Sequence, residues 1–507
     1  MAPPRVLRIA ARQSELARLQ ARVVGAVLRE RFPDVQVEFH FRESLGDKNL
    51  NDPLWKMPER GVFTEDFNED LRQGRFDCVV HSWKDLPTEE RPDSLIAATL
   101  PRADARDLLL VRRDRWDAAL SRAELRVFSS SPRRAYNLEP FLRHALPGQW
   151  KSIDFLSVRG NIPTRLRKLL AEDAPADALV LAKAAVDRLI STRDTELGDD
   201  YSAARGAIHE AFARCRWMVL PLCENPTAAA QGALAIEILR SRADLVQLFQ
   251  TVNCENTYRA VERERAVLKS YGGGCHQKIG VSSLPVGQSW ALSLRKETTS
   301  GEVLNEWRLE RLSPARSPRA VSWPLEPIKS LLEREELPCS APEGKAWWVA
   351  KAAAVPHAWL PPSDETVIWV AGSASWRELA RRGFWVSGSA ESLGENPPFL
   401  PWMHKLDWVK LSHDSAPAGR HGFALCPTYR LSSRNRDAWP DLSTKRNFYW
   451  MSGSLFEAAL ELFPALLGAR HACGPGHTAD RLRKILGREP EIYLSREEWL
   501  RESVEVV

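Results

Sequence analysis

Val6-Leu-Arg-Ile-Ala-Ala-Arg-Gln-Ser14 is the stretch that decides the fold of the first half of the chain. Val6 to Ile9 reads as a short strand, and Arg12-Gln-Ser14 is a polar joint. Beyond Ser14, Leu16, Leu19, Val23, Val27 and Leu28 recur at helical spacing, and Val35, Val37, Phe39 and Phe41 then alternate as a strand does. This is a strand–helix–strand unit. Its joint turns backbone N–H groups toward whatever binds above the sheet, and Arg12 there favours an anion. On its own, Arg12 reads more readily as a solvated surface residue.

The arrangement recurs. Asp77-Cys-Val-Val80 runs into His81-Ser-Trp-Lys-Asp85, and Val127-Phe128 runs into Ser129-Ser-Ser-Pro-Arg-Arg134. In the latter, serines can cap a helix whose first turn carries two arginines. Ala178-Leu-Val-Leu-Ala182 precedes a helix bearing Arg188, and Arg159-Gly-Asn161 followed by Arg165 adds two more cations. Basic residues beyond the carboxyl ends of successive strands lie where open α/β sheets bind ligands. Together they predict a cleft for a ligand rich in carboxylates or phosphates, which arginine grips bidentately. Asp85, beside Lys84 and among arginines, can stay ionised there and stabilise a cation or move a proton. A surface Lys–Asp pair or a helix cap is the plainer reading of the same two residues.

The whole chain sets the bounds. Its 507 residues allow roughly three or four compact units. Basic residues number 71 and acidic residues 66, so the net charge of +5 gives no reason to expect a nucleic-acid or membrane partner. No apolar run approaches the ~20 residues of a membrane span. Met1 to Ala10 lack a basic region followed by an apolar core, so no signal peptide is expected. Eight cysteines without a CxxC pair argue against a disulfide framework or a metal site. The expectation is a reduced, cytoplasmic, multidomain enzyme or binding protein. Gly272-Gly-Gly-Cys275-His276 places one thiol on a glycine-rich loop after a charged helix. Glycines let such a loop approach a ligand closely, which makes Cys275 the best candidate for covalent chemistry, although a free cysteine is more commonly an inert small hydrophobe. The polar, proline-rich Leu312-Ser-Pro-Ala-Arg-Ser-Pro-Arg319 reads as a linker, and 12 of the 19 tryptophans lie beyond it.

Taken in order, Leu7 to Ser14, Leu45-Gly-Asp-Lys48, His81 to Pro87, Ser130-Ser-Pro-Arg-Arg134, Arg159-Gly-Asn161, Gln231 to Glu237, Glu264-Arg-Ala-Val-Leu268 and Gly273-Gly-Cys275 resemble hydroxymethylbilane synthase, also called porphobilinogen deaminase. The resemblance covers residues 5 to about 312. It implies an α/β enzyme of two periplasmic-binding-protein-like lobes plus a small α+β domain. Such an enzyme joins four porphobilinogens head to tail, releases ammonia at each step, and acts as a monomer on this small-molecule substrate. The resemblance further implies a dipyrromethane cofactor attached through Cys275 and catalysis by Asp85. Cofactor ligands fall on Ser14, Lys84, Asp85, Ser131, Arg133, Arg134 and Arg159; substrate ligands fall on Arg12, Arg159, Arg165 and Arg188. The chain departs from the family at Pro58-Glu-Arg-Gly-Val-Phe63, where Arg60 replaces a lysine and two glycines are lost.

The second half carries a weak internal repeat. Lys345 to Lys351 is similar to Phe448 to Ser454, and Val370 to Leu379 to Cys473 to Leu482, with Trp347 paired to Trp450. Two similar α/β lobes follow, each with a Gly/Ser/Thr loop opening a helix, a place to hold carboxylates. Thr428-Tyr-Arg430, Ser452-Gly-Ser454, Glu457-Ala-Ala-Leu460, Gly474 to Ala479 and Gly388 to Gly394 resemble uroporphyrinogen-III synthase. That implies a bilobed α/β domain that closes the linear tetrapyrrole, with Tyr429, Ser452, Ser454 and Thr478 as substrate ligands. Val349-Ala-Lys-Ala-Ala353 stands where that family shows a polar run. The expected domains are 1–102 with 212–228, 103–211, 229–312, a linker at 313–320, and 321–507. A silent C-terminal domain, or a non-catalytic two-lobed anion-binding protein, are the alternative readings.

Overall fold

The computed structural model describes residues 4–43, 65–191, 201–272, 278–297, 301–310, 317–326, 331–395, 406–419, 422–434 and 436–504. Contacts divide the chain into two compact units. The first comprises Met1–Arg143, Gln149–Ser283 and Ser293–Asn305, the second His144–Gly148, Leu284–Leu292 and Glu306–Val507.

The first unit opens as the sequence suggests. Strand β1 (Val6–Arg12), helix α1 (Glu15–Arg31) and strand β2 (Gln36–Arg42) form a parallel pair with its crossover helix. Helix α2 (Glu65–Arg72), β3 (Cys78–Ser82) and β4 (Ser94–Ala98) follow. The chain then leaves to build a second sheet from β5 (Asp107–Arg112), α3 (Arg113–Arg122), β6 (Glu124–Phe128), α4 (Pro132–Ala145), β7 (Ser152–Leu156), α5 (Ile162–Leu170), β8 (Ala178–Ala182), α6 (Lys183–Ser191), α7 (Ser202–Arg214) and β9 (Cys215–Leu220). Strand β10 (Leu234–Leu239) returns to the first sheet, antiparallel between β3 and β4. The sheet orders are β2–β1–β3–β10–β4 and β7–β6–β8–β5–β9. Helices α8 (Ala243–Gln250) and α9 (Glu255–Ser270) follow, then a three-stranded sheet in the order β11 (Ile279–Val286), β12 (Ser289–Glu297) and β13 (Val303–Glu310).

This corrects the expected boundaries. Residues 212–228 do not belong with the first lobe, because β9 pairs along its whole length with β5 in the second sheet. Nor does a third domain begin at 229. Leu234, Ile236 and Ile238 of β10 and Leu245, Leu248 and Phe249 of α8 are buried in one cluster with Leu7 and Ile9 of β1. Burying these side chains in the first core, at roughly 1.5–3 kcal/mol each, fixes where this segment packs.

In the second unit, β14 (Ser317–Pro318) pairs in parallel with β25 (Ser503–Val504), so the expected linker ends in a strand. Strand β15 (Ser322–Trp323) begins one sheet, and the chain departs at once to build another. That other sheet contains β16 (Leu332–Glu336), β17 (Ala346–Val349), β18 (Ile368–Val370), α10 (Ser373–Arg381), β19 (Gly388–Ser389), β20 (Trp408–His413) and β21 (Ala424–Ser433), in the order β16–β21–β20–β17–β18–β19. Return to the first of these two sheets brings β22 (Asn447–Trp450), α11 (Gly453–Leu462), β23 (Arg470–Cys473), α12 (His477–Leu486), β24 (Glu491–Ile492) and α13 (Arg496–Arg501), giving the order β15–β22–β23–β24. Among the described residues, every strand pair in these two sheets is parallel except β16 with β21. The repeat holds in β18–α10 against β23–α12, but its first half is two residues out of step. β17 ends at Val349 and β22 at Trp450, so Trp450 occupies the position of Val349 rather than Trp347. Five of the tryptophans are core: Trp347, Trp348, Trp369, Trp376 and Trp450 are fully buried.

Candidate active site

Parallel pairing of β1 with β3, and of β6 with β7 and β8, sets the carboxyl ends of these strands side by side in each sheet. Arg12 closes β1, and Ser14 is the N-cap residue of α1. Beyond β3 a 3-10 turn, Trp83–Asp85, is pinned by Trp83 N–H to Ala233 O (3.1 Å) and Leu86 N–H to Trp83 O (3.1 Å). Trp83 is buried against Tyr258, which leaves Lys84 half-buried and Asp85 exposed. Beyond β6, Ser131, Arg133 and Arg134 open α4. Arg159 follows β7, and Arg188 lies on α6 after β8.

Arg133 and Arg134 do not project as free cations. Both are buried, and both grip Asp107, which has no solvent exposure. Arg134 donates from Nε to Oδ2 (3.0 Å) and from Nη2 to Oδ1 (2.7 Å), while Arg133 donates from Nη2 to Oδ2 (3.2 Å). Asn225 Nδ2 (3.0 Å to Oδ2) and Gln231 Nε2 (2.8 Å to Oδ1) complete the shell. Although burial opposes its charge, the two guanidinium groups hold the Asp107 carboxyl well below the usual range. Gln231 reaches across to the other sheet, where its Oε1 accepts from Lys84 Nζ (3.4 Å). Burial lowers the Lys84 ammonium; Asp85 opposes that, and Arg134 adds to it.

Arg165 donates from Nε to Gly160 O (2.7 Å). Burial, with Arg134 and Arg159 nearby, pushes it down to about 10. Arg188 donates to Gly232 O (2.7 Å), and burial pushes it too to about 10. Gly160 has φ +111°, and a side chain there would strike Thr164, so only glycine suits this turn. The residues that the sequence singled out at five strand ends therefore lie on one side of two sheets. Asp107, Asn225 and Gln231 are functional candidates to which the sequence alone assigns no role. Cys275, His276 and Pro58 to Phe63 with Arg60 lie outside the described residues. Among the described residues no group of acidic, histidine and cysteine side chains could hold a metal ion, and no helix is long and apolar enough to cross a membrane.

In the second unit Ser452 is the N-cap of α11 and accepts from Leu455 N–H (3.3 Å). Ser454 lies in the first turn of α11 and Thr478 in that of α12. Tyr429, on β21, is buried under Arg334 (4.3 Å from guanidinium carbon to ring centre), and burial raises its hydroxyl above the ordinary value. The His413 ring, at the end of β20, lies 5.9 Å from that of Tyr429 and contacts Ser415 Oγ through Nδ1 (3.0 Å). Burial holds His413 below its usual value, and Arg481 on α12 and Lys351 after β17 add to the effect. Gly476, at φ +90°, comes so close to Gly394 that a side chain there would lie 2.9 Å from Gly394 Cα.

Two α/β sheets thus set Arg12, Lys84, Asp85, Ser131, Arg159 and Arg188 beyond the carboxyl ends of their strands. Residues 7–247 match the family described as "Porphobilinogen deaminase, dipyromethane cofactor binding domain". Three relatives named porphobilinogen deaminase are similar to this chain. That of Syntrophomonas wolfei subsp. wolfei is 35% identical over 57% of this chain and 84% of its own. That of Alkaliphilus metalliredigens is 31% identical over 56% and 80%, and that of Lawsonia intracellularis 32% over 60% and 88%. The chain belongs to the porphobilinogen deaminase family, and its cofactor is dipyrromethane. Ser131, Lys84 and Arg159 could hold such a group, since a hydroxyl and two cations suit its ring carboxylates.

Proposed function

We propose that this chain is a hydroxymethylbilane synthase that condenses four porphobilinogens head to tail, with release of ammonia, on a dipyrromethane primer held through Cys275. The observation that carries this reading is Asp85, exposed on a pinned turn beside Lys84, at strand ends that also carry Arg12, with Arg134 near enough to act on Lys84. An acetate and a propionate on each ring bring two negative charges per addition. Arg12, Arg159, Arg165 and Arg188 would meet them, with Ser14 and Ser131 supplying neutral donors. The cofactor supplies the pyrrole terminus on which a chain is extended. Asp85 would offer its carboxylate to stabilise positive charge as ammonia leaves and to accept the proton released when the ring regains aromaticity. Burial of Trp83 fixes the turn, so this carboxylate needs little reorganisation.

A second reading concerns residues 321–507: closure of the linear product to uroporphyrinogen III. Its support is the second unit's pattern of parallel strands followed by Ser452, Ser454 and Thr478 at helix starts, with Tyr429, His413, Lys351 and Arg481 as neighbours. Helix N-termini and cations suit a ligand with eight carboxylates. Supplying the purified chain with porphobilinogen alone tests both halves of the proposal. Consumption of substrate with ammonia release supports the first activity. After oxidation, isomer III supports the second, whereas isomer I alone means that the C-terminal domain is silent.

A further inference from the structure

Two arginines adjacent in sequence repel each other, and the first turn of a helix, with its partial positive charge, is an unfavourable place for them. Arg133 and Arg134 stand there and are buried. What makes this possible is Asp107, and the manner of the contact matters. Arg134 meets it as a fork, Nε and Nη2 on the two carboxylate oxygens, which fixes the plane of the guanidinium. Arg133 meets it by one nitrogen, its other contacts being Asn225 Oδ1 (3.2 Å) and Pro226 O (2.9 Å). Five donors therefore converge on one carboxylate, and they come from α4 and from the crossover segment that contains Asn225 and Gln231. Gln231 gives its amide N–H groups to Asp107 and to Ala105 O (2.7 Å) and its oxygen to Lys84 of the other sheet.

We infer that Asp107 is a positioning residue: through Arg134 on one side and Gln231 on the other, it sets the cationic face on which the cofactor is assembled, and it reduces the charge of the arginine pair from two to one. This rests on the proposed activity, since it presumes that the cofactor occupies this cleft. Aspartate is required because a shorter or neutral side chain cannot accept a fork and three further N–H groups at once. The chain also keeps its binding face ordered before any ligand arrives, so the ligand's carboxylates meet fixed partners.

The test is incorporation of the cofactor, read by intact mass on full-length protein. Asp107→Asn and Gln231→Leu are purified beside wild type, checked for fold by circular dichroism and melting, stripped of cofactor, and reloaded with porphobilinogen. The inference expects both variants to load more slowly, Asp107→Asn by roughly ten-fold or more and Gln231→Leu by less. Asp107→Glu should recover part of the loss. Gln231→Leu keeps every charge in place, so it decides the matter where Asp107→Asn does not fold. Folded variants that load at the wild-type rate, with only a lower melting temperature, overturn the positioning role and leave the proposed activity standing. Wild type that takes up no mass from porphobilinogen overturns that activity, and the inference with it.

Discussion

Arg102 clasps Glu264 through both carboxylate oxygens, Nη1 to Oε1 at 2.7 Å and Nη2 to Oε2 at 2.9 Å, where Glu264 has no exposure to solvent. The same carboxylate accepts from Ala230 N–H (2.7 Å) and Ser283 N–H (2.8 Å), and Arg102 Nε donates to Gln231 O (2.8 Å). One ion pair thus ties α9, the middle of β11 and both crossings between the two sheets of the first unit. Removal of the arginine leaves a buried charge without its partner. Arg102→Ala should cost about 3 kcal/mol or more in urea unfolding of the first unit. A loss below about 1 kcal/mol, the value for an exposed pair, would show that water reaches the carboxylate.

Asp85 is exposed and lies outside the buried network, so its removal should leave the fold intact. Asp85→Asn is expected to melt as wild type does and to carry the cofactor, yet to lose turnover by roughly 100-fold or more. Steady-state release of ammonia measures this. Activity near that of wild type would remove Asp85 from the mechanism.

His471 gives the second unit an acid limit. Its Nδ1 accepts from Trp450 Nε1–H (2.9 Å), and its Nε2 contacts Leu466 O (2.9 Å), so the buried ring is neutral with its proton on Nε2. Burial pushes it down to about 4. A folded-state value below that of the unfolded chain means that this stability is complete above pH ~6.5 and is lost as pH falls toward about 4. The loss should reach ~3 kcal/mol. Melting curves followed by tryptophan fluorescence at pH 7.5 and pH 5 should show about 2 kcal/mol of it, and His471→Gln, which keeps an acceptor for Trp450, should flatten the difference. Equal pH dependence in the variant would assign the effect to another group.

Capping and binding can be separated at the start of α11. Ser452→Ala loses the bond to Leu455 N–H and should lower stability by about 1 kcal/mol. Ser454→Ala and Thr478→Ala should change stability by less than about 0.5 kcal/mol but raise the share of isomer I formed from porphobilinogen. An unchanged isomer ratio in both would take these two side chains out of the proposed cyclisation.

The strand ends were legible in the sequence because each announces itself locally, with an apolar run, a polar joint and then a cation. That signal placed Arg12, Lys84, Asp85, Arg134, Arg159, Arg165 and Arg188 on one side of two sheets. Asp107 was not legible. It sits in Arg102-Ala-Asp-Ala-Arg-Asp107, which reads as a solvated charge run, and its partners lie far along the chain at Arg133, Arg134, Asn225 and Gln231. The lobe boundaries failed for a related reason. Strand β10 looks like its neighbours in sequence, but pairing inserts it antiparallel between β3 and β4, and no local pattern carries that choice. In the second unit the tryptophans made the repeat visible and also displaced it by two residues, because core residues of similar size occupy different steps of β17 and β22.

Intact mass of freshly purified protein decides whether a pyrrole primer is bonded to the chain among these cations. The account expects a mass above that of the 507-residue chain by one dipyrromethane, lost in Cys275→Ser together with turnover. An unmodified chain that turns over porphobilinogen at full rate would contradict it.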